Sequence, residues 1–89
     1  MYCYKFIIRG KVQGVFYRKS IYEAAKKAGF RGYVKNLDNG DVEAVALLNE
    51  ENLKEFINIL KKGSPYSITE NIDYTKCDKI EFLDFEIRY

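Results

Sequence analysis

An α+β fold, with two helices on one face of a single antiparallel sheet, is what three features of this sequence predict. Alternating apolar residues mark strand-like runs at several places, two segments carry the apolar period of a helix, and Asn39-Gly40 separates two strand-like runs. Their order is strand, helix, strand, strand, helix, strand. That is the split βαβ, or ferredoxin-like βαββαβ, plan, and a short extra C-terminal strand follows it. The 89 residues suffice for one such domain, spanning 1–89, with a single core.

Each element has its own signal. Tyr4, Phe6 and Ile8 alternate with Cys3, Lys5, Ile7 and Arg9, which gives residues 2–9 one strongly apolar face. In residues 18–28, Ile21, Ala24, Ala25 and Ala28 share one helical face, and small residues there let a helix approach a sheet closely. Gly29 supplies a left-handed C-terminal cap, and Lys26 and Lys27 suit the negative end of the helix dipole. Residues 30–37 and 41–47 flank Asp38-Asn39-Gly40 and read as a hairpin. Residues 49–62 form a second helix, with Leu53, Phe56, Ile57 and Leu60 as its buried stripe. Asn49 is expected to cap its start and Gly63 its end, and Ser64-Pro65 prevents continuation. Residues 68–74 read as a strand and 82–88 as the last one, with a polar loop around Cys77-Asp78-Lys79 between them.

Composition removes several function classes. Fifteen Lys and Arg are interspersed among thirteen Asp and Glu, for a net charge of +2, so bulk attraction to nucleic acid or anionic lipid is not expected. The absence of histidine excludes a His general base, a phosphohistidine intermediate and His-based metal sites. Cys3 and Cys77 form no metal-ligand or redox pair motif and suit a reduced cytoplasmic setting, although their geometry decides whether they pair. No apolar run approaches the roughly 20 residues that span a bilayer, and the start lacks the layout of a signal peptide.

The chemistry concentrates in Gly10-Lys11-Val12-Gln13-Gly14-Val15-Phe16-Tyr17-Arg18. A strand, a glycine-punctuated turn and a helix start make a natural anion site, because the first N–H groups of a helix lack intrahelical partners and carry its positive dipole end. Gly10 and Gly14 permit positive φ. Arg18 adds a planar cation that matches two phosphate oxygens. On spacing alone, an ordinary strand-to-helix connection with a surface arginine is the slightly better fit. Two familiar phosphate loops do not fit: the third glycine of the dinucleotide fingerprint is missing, and Lys19-Ser20 lacks the glycine pattern of a Walker loop. Cys3 and Arg9 have the spacing of a cysteine-phosphatase loop, but the residues between them read as extended chain.

The same residues carry a family resemblance. Ile8-Arg9-Gly10-Lys11-Val12-Gln13-Gly14-Val15-Phe16-Tyr17-Arg18 resembles the first signature of the acylphosphatases, and Gly32-Tyr33-Val34-Lys35-Asn36, followed by Gly40 and Val42, resembles the second. The ending Phe85-Glu86-Ile87-Arg88-Tyr89 is similar to the family's C-terminus, so the likeness spans the whole chain. Two positions depart from the pattern: Tyr17 stands where phenylalanine is usual, and Leu48 where a glycine is usual.

The resemblance implies hydrolysis of a small-molecule acyl phosphate to a carboxylate and inorganic phosphate, with no cofactor or metal and no nucleic-acid or membrane partner. It assigns the phosphate to the backbone of Gln13, Gly14, Val15, Phe16, Tyr17 and Arg18, together with the Arg18 guanidinium. It assigns the attacking water to Asn36. Gln13 is expected to shape the loop through its backbone, Lys35 to face solvent, and Phe16 or Tyr17 to line the site or join the core. Related domains also occur inside larger carbamoyl-transferring proteins; the chain's end at Tyr89 without a following zinc-binding region favours a free-standing enzyme, and a monomer is the default expectation. A non-catalytic phosphate or acyl-phosphate binding module on the same fold is the alternative. RNA binding is a weaker one, because Arg31-Gly32-Tyr33 begins an RNA-recognition signature that Val34-Lys35-Asn36-Leu37 does not complete.

Overall fold

The computed structural model describes residues 1–78 and 81–89. The chain forms β1 (Tyr2–Lys11), α1 (Tyr17–Lys27), β2 (Arg31–Asn36), β3 (Val42–Leu48), α2 (Glu50–Lys62), β4 (Ile68–Cys77) and β5 (Phe85–Arg88). The strands lie in the order β4-β1-β3-β2-β5. The first four pair antiparallel. β5 runs parallel to β2, so the expected antiparallel sheet is mixed at one edge. The direction follows from topology: β4 ends at the end of the sheet where β2 begins, and a segment entering there must run alongside β2.

The helices share one core with the sheet. Tyr4, Phe6 and Ile8 meet Ile21 and Ala25 of α1 and Phe56 and Leu60 of α2, all buried. Phe56 is the hub, with Phe6, Phe30 and Phe85 at ring-centroid distances of 5.0, 5.4 and 6.2 Å. Burying an aromatic or aliphatic side chain of this size stabilises by about 1.5–3 kcal/mol. A second, smaller cluster lies elsewhere, where Phe82 packs with Cys3, Val45 and Leu47. Phe82 was expected within the last strand; it instead precedes β5 and covers apolar side chains of β1 and β3.

Local signals mostly behave as read. Gly29 has φ 84°, and the N–H groups of Gly29 and Phe30 bond the carbonyls of Lys26 and Ala25 in a Schellman pattern. Gly63 also has positive φ at the end of α2. Asn49 stands at the start of α2, but its side chain makes no capping bond; its carbonyl accepts from Asn52 N–H instead. Glu50 and Glu51 in the first turn suit the dipole there without a cap. Leu48 closes β3, opposite Tyr2 and fully buried, so an extended core residue replaces any turn glycine. β4 extends beyond residue 74 because its pairing with β1 continues to Cys3 and Cys77. The expected polar loop after it lies in part outside the described residues. Among these, no helix is long and apolar enough to cross a membrane.

The cysteines correct the sequence reading, which favoured reduced thiols. Cys3 and Cys77 face each other across β1 and β4 and are joined in a disulfide. Residues 74 positions apart become neighbours only through strand pairing, which no spacing motif encodes. Alkylation of the unreduced protein should therefore find no free thiol. Reduction, or Cys77→Ser, should lower stability by about 2–4 kcal/mol in urea unfolding, the usual effect of removing a long-loop cross-link. Gly32 allows the close approach of β2 and β3, since a Cβ there would strike the Val45 carbonyl oxygen. Gly32→Ala should cost about 1–3 kcal/mol in the same measurement.

Candidate active site

The loop between β1 and α1 curls because two of its residues have left-handed backbone. Gly14 has φ 70° and Phe16 has φ 62°. A non-glycine residue there is uncommon and strained by roughly 1–3 kcal/mol, which persists only where the surroundings enforce it. Alternating backbone of this kind turns successive N–H groups toward one concavity, an anion nest. α1 starts directly after Phe16, with no side-chain cap and no acidic residue in its first turn. The positive end of its dipole is therefore left for something outside the helix.

Three side chains enforce the curl. Gln13 Nε2 donates to the carbonyls of Leu37 and Asp41 at 2.7 and 2.8 Å. The Ser64 hydroxyl donates to the Val15 carbonyl at 2.5 Å. The Tyr17 hydroxyl donates to the Leu60 carbonyl at 2.8 Å, meeting one of the carbonyls that the end of α2 leaves without an intrahelical partner. Tyr17 is buried, and burial pushes its phenol well above the usual tyrosine range. It belongs to the core as well as to the site wall.

A cleft of about 300 Å³ opens over this loop. Gly14, Phe16, Tyr17 and Arg18 line it, and Asn36 reaches it from the end of β2. Arg18 is oriented by the C-terminal strand: Nη1 donates to the Arg88 carbonyl at 3.1 Å, and the guanidinium lies 4.8 Å from the Tyr89 ring centroid. One of its five donors is thus used, and the remainder form a fork beside the nest. Asn36 Oδ1 is buried and has no hydrogen-bond partner among the described residues. Most buried polar atoms find a partner, so an orphaned one at a cleft wall is a pointer to function.

The sequence-predicted residues divide into two groups. Gly14, Phe16, Tyr17, Arg18 and Asn36 meet at one cleft. Gln13 and Val15 hold the loop from outside it, Gln13 through its side chain rather than only its backbone. Four further lining residues, Val12, Lys19, Ile87 and Tyr89, were not singled out. Lys19 follows Arg18 in the first turn of α1, and Ile87 and Tyr89 arrive with β5, whose position beside β2 no local pattern reveals.

A left-handed loop at a helix start with one arginine beside it, on a ferredoxin-like sheet, is the arrangement of a small domain suited to an anion. Its relatives are consistent in kind. The acylphosphatase family model matches residues 4–87. An acylphosphatase of Borrelia garinii subsp. bavariensis is 41% identical over a 93-residue alignment covering 100% of both chains. One of Picrophilus torridus is 44% identical over 94% of this chain and 99% of its own. The crystal structure of acylphosphatase from Bacillus subtilis superposes with a TM-score of 0.91 at 38% identity, covering 100% of each chain. The chain belongs to the acylphosphatase family.

Gln13 makes two part-buried hydrogen bonds that tie the loop to the β2–β3 hairpin. Each carbonyl keeps its hairpin donor, Gly40 N–H on Leu37 and Leu37 N–H on Asp41, so Gln13→Ala should destabilise the chain by only about 0.5–1.5 kcal/mol per lost bond. Inorganic phosphate affinity should fall with it, read by competitive inhibition of acyl phosphate hydrolysis, because the nest and the end of β2 lose their tie.

Proposed function

We propose that this chain hydrolyses the carboxyl–phosphate anhydride of a small acyl phosphate, with Arg18 binding the phosphoryl group and Asn36 orienting the attacking water. The backbone N–H groups of residues 13–18 and the Arg18 fork receive the three phosphoryl oxygens. Water held by the Asn36 carboxamide attacks phosphorus in line. A new P–O bond forms, the P–O bond to the acyl oxygen breaks, and its electron pair leaves as carboxylate. The water proton passes to a phosphoryl oxygen, since an amide has no basic group near neutrality. A carboxylate is a good leaving group, so holding and aligning dominate over acid–base help.

One observation carries this reading: Asn36, whose buried Oδ1 has no partner among the described residues, lines the same cleft as Arg18. An acceptor so situated suits a water molecule. The reading includes a monomer working in the cytoplasm. A Cys3–Cys77 bond is uncommon in a reducing compartment, so trapping thiols in intact cells tests the location together with the bond.

Kinetics on acetyl phosphate, with phosphate as competitor, test the assignment. Arg18→Ala should lower turnover by about 10²–10³ and weaken phosphate inhibition. Asn36→Ala should lower turnover comparably while leaving phosphate inhibition near wild type, because water rather than phosphate is its partner. Near-normal turnover in Arg18→Ala would reject the site. Phosphate binding without release of product by the wild-type chain would instead make it a binding module.

A further inference from the structure

Among the described residues, Ser64 is the one buried residue with a polar, non-aromatic side chain. Burying such a group is costly unless its hydrogen bonds are made. The hydroxyl reaches 49 residues back along the chain and donates to the Val15 carbonyl. The Tyr66 N–H donates to the same Oγ, which takes up an acceptor position and leaves the hydroxyl proton for Val15. The serine is itself held in its turn. Its N–H donates to Ser67 Oγ, and its carbonyl accepts from the Ser67 N–H and hydroxyl.

A trans peptide is planar, so the Val15 carbonyl and the Phe16 N–H point in opposite directions. Phe16 lines the cleft and Ser64 does not. A carbonyl drawn toward Ser64 therefore sends the Phe16 N–H away from Ser64. That N–H has no hydrogen-bond partner among the described residues. The orientation is also the strained one, since it gives Phe16 its φ of 62°. A half-turn of this peptide would carry that φ to about −120°, out of the left-handed region, and exchange the N–H for a carbonyl. Strain at Phe16 favours the turned form, and the Ser64 bond opposes it.

We infer that Ser64 is a positioning residue: by holding the Val15 carbonyl it aims the Phe16 N–H into the nest and keeps that peptide from turning over. The inference rests on the proposed phosphate site and extends it to the group that sets one donor's direction. The two forms offer an anion opposite things, a donor in one and an acceptor in the other. Only the first binds phosphate, so the apparent dissociation constant is the intrinsic one divided by the fraction in that form. Saturating substrate draws the whole population into that form, and kcat is spared. A merely structural serine behaves otherwise. Its loss lowers the folded fraction, and with it the maximal rate, at unchanged KM and phosphate affinity.

The test measures the dissociation constant of inorganic phosphate by calorimetry, and KM and kcat for acetyl phosphate, in the wild-type protein, Ser64→Ala, Phe16→Gly and the double variant. In Ser64→Ala the phosphate constant and KM should rise together by roughly two- to tenfold, the worth of one hydrogen bond, with kcat within about twofold of wild type. Glycine is unstrained at positive φ, so Ser64→Ala should weaken phosphate binding less when Phe16→Gly is already present. Ser64→Cys, close in volume with a weaker donor, should lie between wild type and Ser64→Ala, and it carries the same test if Ser64→Ala does not fold. A lower kcat at unchanged phosphate affinity overturns the inference. So does an equal loss of affinity on Ser64→Ala in the wild-type and Phe16→Gly proteins. Phosphate binding without turnover by the wild-type protein rejects the hydrolase reading, and the calorimetric comparison then decides this one alone. Absence of phosphate binding by the wild-type protein overturns both.

Discussion

The site depends on one amide. Gln13 stands at the start of the β1–α1 loop, and its side chain bonds Leu37 and Asp41, the two residues that close the hairpin. Asn36 immediately precedes Leu37. The group proposed to hold phosphate and the group proposed to hold water are therefore tied at their bases by one side chain. An amide suits this position because its nitrogen carries two donors, one for each carbonyl, and no charge that would compete for phosphate. The hairpin is itself stiffened from inside: Leu37 N–H bonds the Asp41 carbonyl, and Asn39 Oδ1 accepts from Asp41 N–H.

Much of the fold was legible because the apolar alternation of β1, the helical stripe of α2 and the Asn-Gly turn are local patterns with one physical solution each. The loop proposed to hold phosphate was visible for the same reason, as glycines and an arginine adjacent in sequence. What was not legible depends on strands meeting across the sheet. The Cys3–Cys77 pair, the covering of Val45 and Leu47 by Phe82, and the arrival of Ile87 and Tyr89 at the cleft all follow from sheet order. Gln13 is an intermediate case. Its position in the loop was evident, but its partners lie 24 and 28 residues away, and only the folded hairpin presents their carbonyls together.

The two departures from the family pattern acquire reasons of their own. At position 17 the ring fills the core beneath the loop, and the added hydroxyl reaches the Leu60 carbonyl at the end of α2. Thr69 Oγ1 donates to the same carbonyl at 3.2 Å. The head of α1, the tail of α2 and the start of β4 thus converge on one acceptor. Position 48 needs no special backbone, because β3 continues through it and its side chain is wholly buried.

Arg88 links the second apolar cluster to the cleft. Its guanidinium lies 4.1 Å from the Tyr33 ring centroid and 5.6 Å from that of Phe82, and Glu86 pairs with it at 2.8 Å. Its carbonyl, meanwhile, accepts from Arg18. Cation–π contacts of this kind contribute about 0.5–1 kcal/mol at exposed sites, modest for stability but enough to hold a short edge strand in register. Among the described residues β5 has only β2 as a strand neighbour, so its register has few other supports. A slip by one residue would exchange its faces. Ile87 and Tyr89 would then leave the cleft and the carbonyl beneath Arg18 would turn away, so the cluster around Tyr33 and Phe82 bears on the direction of an arginine it never touches.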